Sequence, residues 1–149
     1  MLIRSVRQGD AQRWAMLRHK LWPTVDPDEL TAEAESFLKG STTPTIASAF
    51  LAEEGATPVG LIELAVRSFS DGCESMPVPH VEGWYVEPPL RGQGVGRALM
   101  QSAEHWARER GFSELASDTE IDNHRSLAAH TSCGFIEVER LIKLRKPLA

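Results

Sequence analysis

The sequence has no apolar run that approaches the roughly 18 residues needed to span a bilayer. Its N-terminus, MLIRSVRQGD, has neither the apolar stretch nor the small-residue cleavage site of a secretory signal. Both absences predict a cytoplasmic protein with no membrane partner. Only two cysteines are present, Cys73 and Cys133, and they lack the spacing of metal ligands. We therefore expect free thiols and no bound metal.

Internal repeats and linkers are also missing. Domains typically contain about 100–200 residues, and this chain has 149. Its composition, 42% apolar and 25% charged, is that of an ordinary globular protein. We predict a single domain over residues 1–149, large enough to bury a core without disulfides or metals.

Cationic residues are scarce in the middle of the chain. Between Pro23 and Glu87, twelve acids stand against Lys39 and Arg67, a net charge of −10 in a chain whose total is −5. The rest of the chain is therefore positive. This asymmetry argues against nucleic acid as a partner of the middle region and favours a cationic one. For any single acid, a solvated surface position is the simpler interpretation.

Hydrophobic periodicity and turn residues predict a short N-terminal strand followed by the order α-α-β-β-β-α-β-α-β. The predicted elements are a strand Leu2 to Val6, a helix capped by Asp10 and ended by Pro23, a helix Pro27 to Leu38, strands Thr45 to Glu53, Val59 to Val66 and His80 to Glu87, a helix Val95 to Arg110, a strand Leu115 to Ser117, a helix Asn123 to Ser132, and a final strand or pair of strands Phe135 to Lys146. Gly83 interrupts its strand and predicts a bulge or a close backbone approach. The order is typical of a mixed α/β sheet with a strand–glycine loop–helix unit at its centre.

The stretch VEPPLRGQGVGRAL, from Val86 to Leu99, joins a strand to a helix and contains three alternating glycines. Backbone N–H groups of such a loop can face one point, where the helix dipole adds positive potential. Phosphate is the natural ligand. The G-x-G-x-G spacing lacks the third glycine position of a dinucleotide fingerprint, and no Gly-Lys-Ser/Thr follows as in a P-loop. Hydride transfer and nucleotide hydrolysis therefore lose support.

This loop resembles that of the GNAT superfamily of acetyl-CoA-dependent N-acetyltransferases. The family motif Arg/Gln-x-x-Gly-x-Gly/Ala is met by Arg91, Gly94 and Gly96, and Val86 stands where the family usually has a valine. The resemblance implies the GNAT fold, in which the central sheet is splayed, and acetyl-CoA as the acetyl donor.

The resemblance also implies how the coenzyme is held. Its pyrophosphate would bind the backbone amides of the loop and of the helix start, which are those of Arg91, Gly92, Gln93, Gly94, Val95, Gly96 and Arg97. The strand residues Trp84, Tyr85 and Val86 would pair with the pantetheine arm as with an added strand. A free backbone N–H at the splay would bind the thioester carbonyl oxygen.

Further along the chain, Asn123, Ser126 and the pair Gly134-Phe135 fall where the family has its Asn-x-x-Ala and Gly-Phe signatures. The resemblance implies that Asn123 contacts the pantetheine. One departure concerns the tyrosine that the family often has seven residues later, whose hydroxyl can protonate the departing thiolate. His130 stands there. It could replace the tyrosine, the thiolate could leave unassisted, or His130 could be a packed helix residue.

Several patches outside the coenzyme motif resemble one branch of the superfamily, the bacterial aminoglycoside 6′-N-acetyltransferases. The patches are Leu17-Arg18 with Leu21-Trp22-Pro23, the loop from Asp71-Gly72-Cys73 to Pro77-Val78, Glu82-Gly83, Ala116-Ser117-Asp118-Thr119, and Gly134-Phe135 with Glu137 to Arg140. The resemblance implies aminoglycosides as substrates, a role in antibiotic resistance and a homodimer. The acceptor-site residues would be Trp22, Phe69, Glu82, Asp118 and Glu139.

The residue types agree with this assignment, because a substrate with several ammonium groups requires carboxylates that face one cleft. The amine must lose a proton before it attacks the thioester directly in a ternary complex. Asp118 or Glu82, acting through a water, is the candidate base. Trp22 offers an aromatic face to a sugar ring or a cation. Cys133 has no evident basic partner and is interpreted as a packing residue.

Two other functions remain open from the sequence alone. One is a GNAT enzyme that acts on another cationic amine, such as a polyamine or a protein N-terminus. The other is an acyl-CoA-binding module without turnover. The acidic residues favour an enzyme, whereas the missing tyrosine leaves room for the module.

Overall fold

The computed structural model of the chain describes residues 1–43 and 45–149. Its elements are strand β1 (Leu2–Ser5), helices α1 (Ala11–Leu21) and α2 (Pro27–Leu38), strands β2 (Ser48–Glu54), β3 (Thr57–Arg67) and β4 (Val78–Val86), a 3₁₀ turn (Pro88–Leu90), and helices α3 (Val95–Glu109) and α4 (His124–Ser132). The strands form an antiparallel sheet in the order β1-β2-β3-β4, with β4 at one edge. Among the described residues, none of the helices has the length and apolar character that crossing a membrane requires.

The sheet is buried on both faces, as consecutive residues of β3 demonstrate. Ile62 packs against the apolar side of α3, whereas Leu61 packs against α1 and α2 on the opposite face. Side chains of a strand alternate between its two faces, and both of these residues are fully buried. The helices therefore cover the sheet on either side, and they leave the β4 edge as the place where a ligand can approach.

The helices end where the sequence predicts, but the predicted N-cap of α1 is not formed. Asp26 caps α2 by accepting a hydrogen bond from the backbone N–H of Asp28 at 2.9 Å. Asp10, predicted to cap α1, makes no capping bond to that helix. Its carboxylate instead accepts from the backbone N–H of Arg7 at 2.7 Å and from the guanidinium of Arg4. Both oxygens are thereby engaged outside the helix.

The bulge predicted at Gly83 is confirmed. Glu63 of β3 pairs with Gly83 and Leu64 with Val81, so that Glu82 is the extra residue of β4. A close approach occurs at the same place, because a Cβ on Gly83 would lie 2.8 Å from side-chain atoms of Leu21 and Trp22. The bulge thus turns Glu82 out of the regular ladder at the point where the sheet begins to open.

Two predicted strands are wrong. The strand Leu115 to Ser117 is reduced to a single parallel bridge between Ala116 and His80. The strand or strands Phe135 to Lys146 are not formed anywhere in the described residues, and residues 136–149 are exposed. A strand requires a neighbour to satisfy its N–H and C=O groups, and the described chain offers none next to this segment. The segment therefore has the alternating apolar pattern of a strand, but in the described structure it forms no hydrogen-bonded ladder.

The acidic middle segment is not one continuous negative surface. Several of its acids pair with cations from outside the segment: Glu53 with Arg4 and Arg13, Glu33 and Glu63 with Arg18, and Glu87 with Lys20. The Arg18–Glu63 pair is almost fully buried. The net charge read from the sequence therefore overstates the negative potential available to a partner. For binding a cationic partner, the carboxylates of the cleft described below matter more than the total charge of the segment.

Candidate active site

A cleft of about 700 Å³ follows the free edge of β4. It is lined by Leu21, Val81, Glu82, Gly83, Trp84, Tyr85, Val86, Arg91, Gly92, Gly96, Ser117, Asp118, Asn123, Arg125, Ser126, Ala129 and His130. The two walls meet at Ala116, which accepts from the N–H of Val81 at 2.8 Å and donates to the carbonyl of Pro79 at 2.9 Å. In the described structure no backbone pairing joins the two walls beyond this point, which agrees with the expected splay of the sheet.

At one end of the cleft, the glycine loop opens onto the N-terminus of α3. Gly92 and Gly94 have φ angles of 76° and 90°, and nothing lies within 4 Å of a Cβ built on either. Gly94 occupies the N-cap position without a side-chain cap. The first N–H groups of α3, which like those of any helix have no partner within it, therefore also lack a side-chain cap. This geometry suits a diphosphate, because the donors point into open space beside a positive helix terminus.

The loop is held in place by its own side chains. Arg91 donates from Nε to the carbonyl of Val86 at 2.7 Å, and Gln93 donates from Nε2 to that of Pro89 at 2.8 Å. The indole N–H of Trp84 donates to the carbonyl of Gly96 at 3.1 Å. A Cβ on Gly96 would lie 3.2 Å from the Trp84 ring. Gly96 is therefore favoured by tight packing, whereas Gly92 and Gly94 are favoured by their positive φ angles.

Between the two ends, Trp84, Tyr85 and Val86 pair with β3 on one side only. In the described part of the chain no strand covers their other side, which lines the cleft. Asn123 lies across the cleft, where its Oδ1 accepts from the N–H of Ser126 at 3.1 Å and caps α4. The edge of β4 can accordingly pair with an extended amide-containing arm, and Asn123 retains its Nδ2 group for a ligand.

At the other end, Glu82 is clamped by Arg67, which donates from Nε and from a terminal nitrogen to its two oxygens, both at 2.8 Å. The ring of His80 lies on its other side, with Nδ1 3.4 Å from Oε1. Burial raises the pKa of Glu82, but His80 and Arg67 together outweigh it and lower that pKa to about 2. Glu82 is therefore ionised at any pH near neutrality and holds a proton poorly.

Asp118 is the second carboxylate at this end, two residues beyond Ala116. Its side chain is 67% exposed, and one of its oxygens lies 3.5 Å from Nε2 of His80. The structure thus brings together the two carboxylates that the sequence singled out. It adds Arg67 and His80, which sequence reasoning missed. Their signal was weak: Arg67 is one of two cations in an acidic segment, and His80 lies two residues before Glu82.

The other three predicted acceptor residues lie at different distances from the lining of the cleft. The ring of Trp22 lies against Gly83, which lines the cleft, and under the guanidinium of Arg18 at 5.2 Å, but Trp22 does not itself line the cleft. Phe69 is 60% exposed and does not line the cleft. Glu139 is also exposed, on the C-terminal segment, and does not line it either.

His130 faces the cleft and is also packed in the helix. Its Nδ1 lies 2.8 Å from the carbonyl oxygen of Ser126, and its Nε2 lies 2.7 Å from the hydroxyl of Ser117. The carbonyl can only accept, so Nδ1 donates; in the neutral ring, Nε2 then accepts from Ser117. The rings of Trp84 and Phe135 contact His130 edge-on. Ser117 and His130 therefore form a hydrogen-bonded pair in the lining of the cleft.

The two cysteines are free thiols. Cys133 is half-buried and packs against the core beside α3. This position agrees with its interpretation as a packing residue.

Comparison with known proteins identifies the family. The model described as "Acetyltransferase (GNAT) family" matches residues 12–135, most of the chain. The chain therefore belongs to the GNAT acetyltransferase family. The loop and strand edge described above are the parts of the fold in which the family motif lies.

Similar proteins narrow the comparison further. The chain is 41% identical over 147 residues to the aminoglycoside N(6')-acetyltransferase type 1 of Klebsiella aerogenes, covering 99% of this chain and 97% of that protein. It is 42% identical to the protein of the same name from Stenotrophomonas maltophilia, with 98% and 93% covered. Among solved structures, it resembles AAC(6')-Iy in complex with the bisubstrate analogue CoA-S-monomethyl-acetylneamine, with a TM-score of 0.89, 32% identity and 99% and 98% of the chains covered.

Proposed function

We propose that this chain transfers an acetyl group from acetyl-CoA to the 6′-amino group of aminoglycosides and so confers resistance. The observation that carries the proposal is one cleft with a glycine loop and a helix N-terminus at one end and two carboxylates at the other. Aminoglycoside N(6')-acetyltransferases at 41% identity over the whole chain support this substrate over a polyamine, a protein N-terminus or a module without turnover. One acetyltransferase domain over residues 1–149 accounts for the activity.

Acetyl-CoA fits the donor half of the cleft. The amides from Arg91 to Arg97 hold its pyrophosphate, and the edge of β4 at Trp84 to Val86 pairs with its pantetheine arm. Asn123 contacts that arm from the opposite wall. When bound, acetyl-CoA supplies the acetyl group as a reactive thioester. A backbone N–H at the splay of β4 stabilises the negative charge that develops on the carbonyl oxygen.

Glu82 and Asp118 bind the ammonium groups of the acceptor. A neighbouring carboxylate raises the pKa of a bound amine, so that tight binding opposes the deprotonation required for attack. Because its pKa is about 2, Glu82 serves as a fixed negative charge rather than as the base. Asp118 is more exposed and is not clamped by an arginine in the described structure, so it takes the amine proton through a water.

The Ser117–His130 pair can return a proton to the leaving group. Its hydroxyl lines the cleft, and His130 stands where the family often has a tyrosine. This relay requires a protonated ring, in which Nε2 donates to Oγ of Ser117 while the Ser117 O–H donates to the thiolate; with a neutral ring, Nε2 accepts the Ser117 proton and the thiolate leaves unassisted. The hydrogen bond of Nδ1 to Ser126 fixes the ring for this relay.

Turnover should require a free 6′-amino group. Kanamycin-like and tobramycin-like aminoglycosides should release thiol from acetyl-CoA, and analogues with a 6′-hydroxyl should not, because the carboxylates align the 6′ position with the acetyl group. Thiol release against a panel of aminoglycosides, polyamines and peptides measures this. Equal turnover of the 6′-amino and 6′-hydroxyl classes would place the acetyl group elsewhere, and activity with polyamines or peptides alone would refute the aminoglycoside assignment.

A homodimer explains the exposed C-terminal segment, residues 136–149. Ile136, Val138, Ile142 and Leu144 share one face of an extended chain, yet they are 81%, 56%, 86% and 91% exposed. Such a pattern without a neighbouring strand is a surface that pairs with another chain. We infer that a second copy supplies the missing neighbour.

The same arrangement accounts for the two predicted acceptor residues that miss the cleft. The side chain of Val138 lies against Gly72, since a Cβ on that glycine would be 2.4 Å from it. Glu139 follows Val138, and Phe69 belongs to the loop that contains Gly72. Both predicted residues therefore sit on one exposed region of the chain. We infer that this region completes the acceptor site of the second copy.

Mixing two inactive or weakened variants tests the shared site. Asp118→Asn disables the cleft of its own chain but keeps a normal C-terminal segment, and Glu139→Gln does the reverse. If Glu139 acts across the dimer, subunit exchange should create one intact site per mixed dimer and raise the rate at low aminoglycoside concentration above that of either variant. No gain from mixing, in a sample that light scattering identifies as a dimer, would place Glu139 in its own site or in none. A monomer would refute the dimer itself.

The cytoplasmic location is also part of the proposal. Free thiols at Cys73 and Cys133 agree with a reducing compartment.

A further inference from the structure

The buried histidine of β4, His80, is not used by the mechanism above. Its side chain is 2% exposed, and its Nδ1 has no hydrogen-bond partner within standard geometry in the described structure. Buried polar atoms are nearly always satisfied. An imidazole placed in this way next to a cleft therefore calls for a functional explanation.

The ring lies between the two carboxylates of the acceptor end. Nδ1 is 3.4 Å from Oε1 of Glu82, and Nε2 is 3.5 Å from Oδ2 of Asp118. Glu82 belongs to β4 and Asp118 to the opposite wall, so the ring lies between the two walls of the cleft. Arg67 of β3 also belongs to this cluster and reaches it through Glu82.

The backbone also places His80 where the two walls of the cleft meet. Ala116 bridges to His80, and in the described structure no backbone pairing joins the walls beyond it. Glu82 is held independently by Arg67, whereas for Asp118 the structure gives the contact with His80. Asp118 is otherwise largely exposed. Loss of the ring would thus release Asp118 more than Glu82.

We propose that His80 is a positioning residue that holds Asp118, relative to Glu82, where the acceptor amine must bind and lose its proton. The inference rests on the proposed function. A neutral imidazole has one N–H and can donate to one carboxylate, whereas an imidazolium can donate to both. In either state the ring separates two like charges and sets their spacing. His80 does not line the cleft and acts only through the carboxylates.

The variants His80→Gln and His80→Phe test this role. Phenylalanine removes both polar contacts, and glutamine restores a donor to one carboxylate. His80→Phe should lower kcat/KM for a 6′-amino aminoglycoside about tenfold or more, His80→Gln should recover part of the loss, and KM for acetyl-CoA should stay unchanged. His105→Gln is the matched control, since this histidine is 74% exposed and pairs only with Glu109 in the described structure.

A double-mutant cycle with Asp118→Asn separates positioning from packing. If His80 acts through Asp118, the effect of His80→Gln should shrink to less than about twofold in a chain that already carries Asp118→Asn. The same fold-loss in both backgrounds, or a matching rise in KM for acetyl-CoA, would overturn the inference. Thermal unfolding verifies that each variant is folded. If His80→Phe does not fold, the results for His80→Gln decide the test. A wild-type chain without aminoglycoside turnover would refute the proposed function and this inference together, whereas an active wild type with an additive cycle refutes only the inference.

Discussion

Replacing Gly94 by valine should abolish acetyl-CoA binding while the chain stays folded. Gly94 has a φ of 90° and open space in front of it, so a side chain there would project where the pyrophosphate approaches the N-terminus of α3. A β-branched residue would also tilt the loop away from this conformation, which L-residues rarely adopt. Because the amides of the loop act together, we expect the loss of at least two charge-assisted hydrogen bonds, which weakens binding by more than about a hundredfold and leaves none that calorimetry detects.

Gly111 provides the matched control for backbone strain. It lies just beyond the other end of α3, with a φ of 81° and nothing within 4 Å of a Cβ built on it. Gly111→Val therefore imposes a similar strain far from the loop. Calorimetry with acetyl-CoA should show wild-type affinity for Gly111→Val and none for Gly94→Val, both folded by circular dichroism. Undiminished binding by a folded Gly94→Val variant would remove the loop from the donor site.

The donor half of the site was predictable from the sequence because its determinants are local. A glycine loop between a strand and a helix needs only consecutive residues, and the resulting φ angles and free helix terminus are properties of that stretch. The bulge at Gly83 was predictable for the same reason, because a glycine inside a strand already indicates it.

The absence of a ladder between the C-terminal segment and the other described residues was not predictable. Its period-two pattern correctly identifies a segment suited to a strand, but a strand forms only where another strand is available. The pattern does not say whether such a strand is available. Residues 136–149 therefore have the sequence of a strand and, within the described chain, no ladder.

The acceptor half was predicted in part. Glu82 and Asp118 were found from the resemblance, but their electrostatics depend on Arg67 and His80, which reach them only through the register of β3 and β4 and the bridge to Ala116. The low pKa of Glu82 is consequently a tertiary property. It changes the assignment of roles, because a carboxylate already clamped by a guanidinium is a poor proton acceptor.

Replacing Asp118 by asparagine should therefore be the most damaging change to the chemical step. The amide side chain would retain the size and a hydrogen-bonding oxygen but could not take the amine proton, so kcat should fall by roughly 10²–10⁴-fold, the usual contribution of a general base. Affinity for acetyl-CoA should be nearly unchanged, because the donor contacts lie in the loop and the β4 edge. Glu82→Gln should raise KM for the aminoglycoside and lower kcat less, and Glu139→Gln should chiefly raise KM.

The pH profile distinguishes the two carboxylates of the cleft. With a pKa of about 2, Glu82 is fully ionised above roughly pH 4 and cannot produce an acidic limb in the range where the enzyme is assayed. Any acidic limb in wild-type kcat/KM must then come from a group other than Glu82, and its weakening in Asp118→Asn would show that the dependence involves the carboxylate at position 118. Asp122→Asn, an exposed acid of the same connection, makes the same charge change as a control. Wild-type kcat and an unaltered profile in Asp118→Asn would leave solvent as the proton acceptor, because Glu82 is too weak a base to replace it.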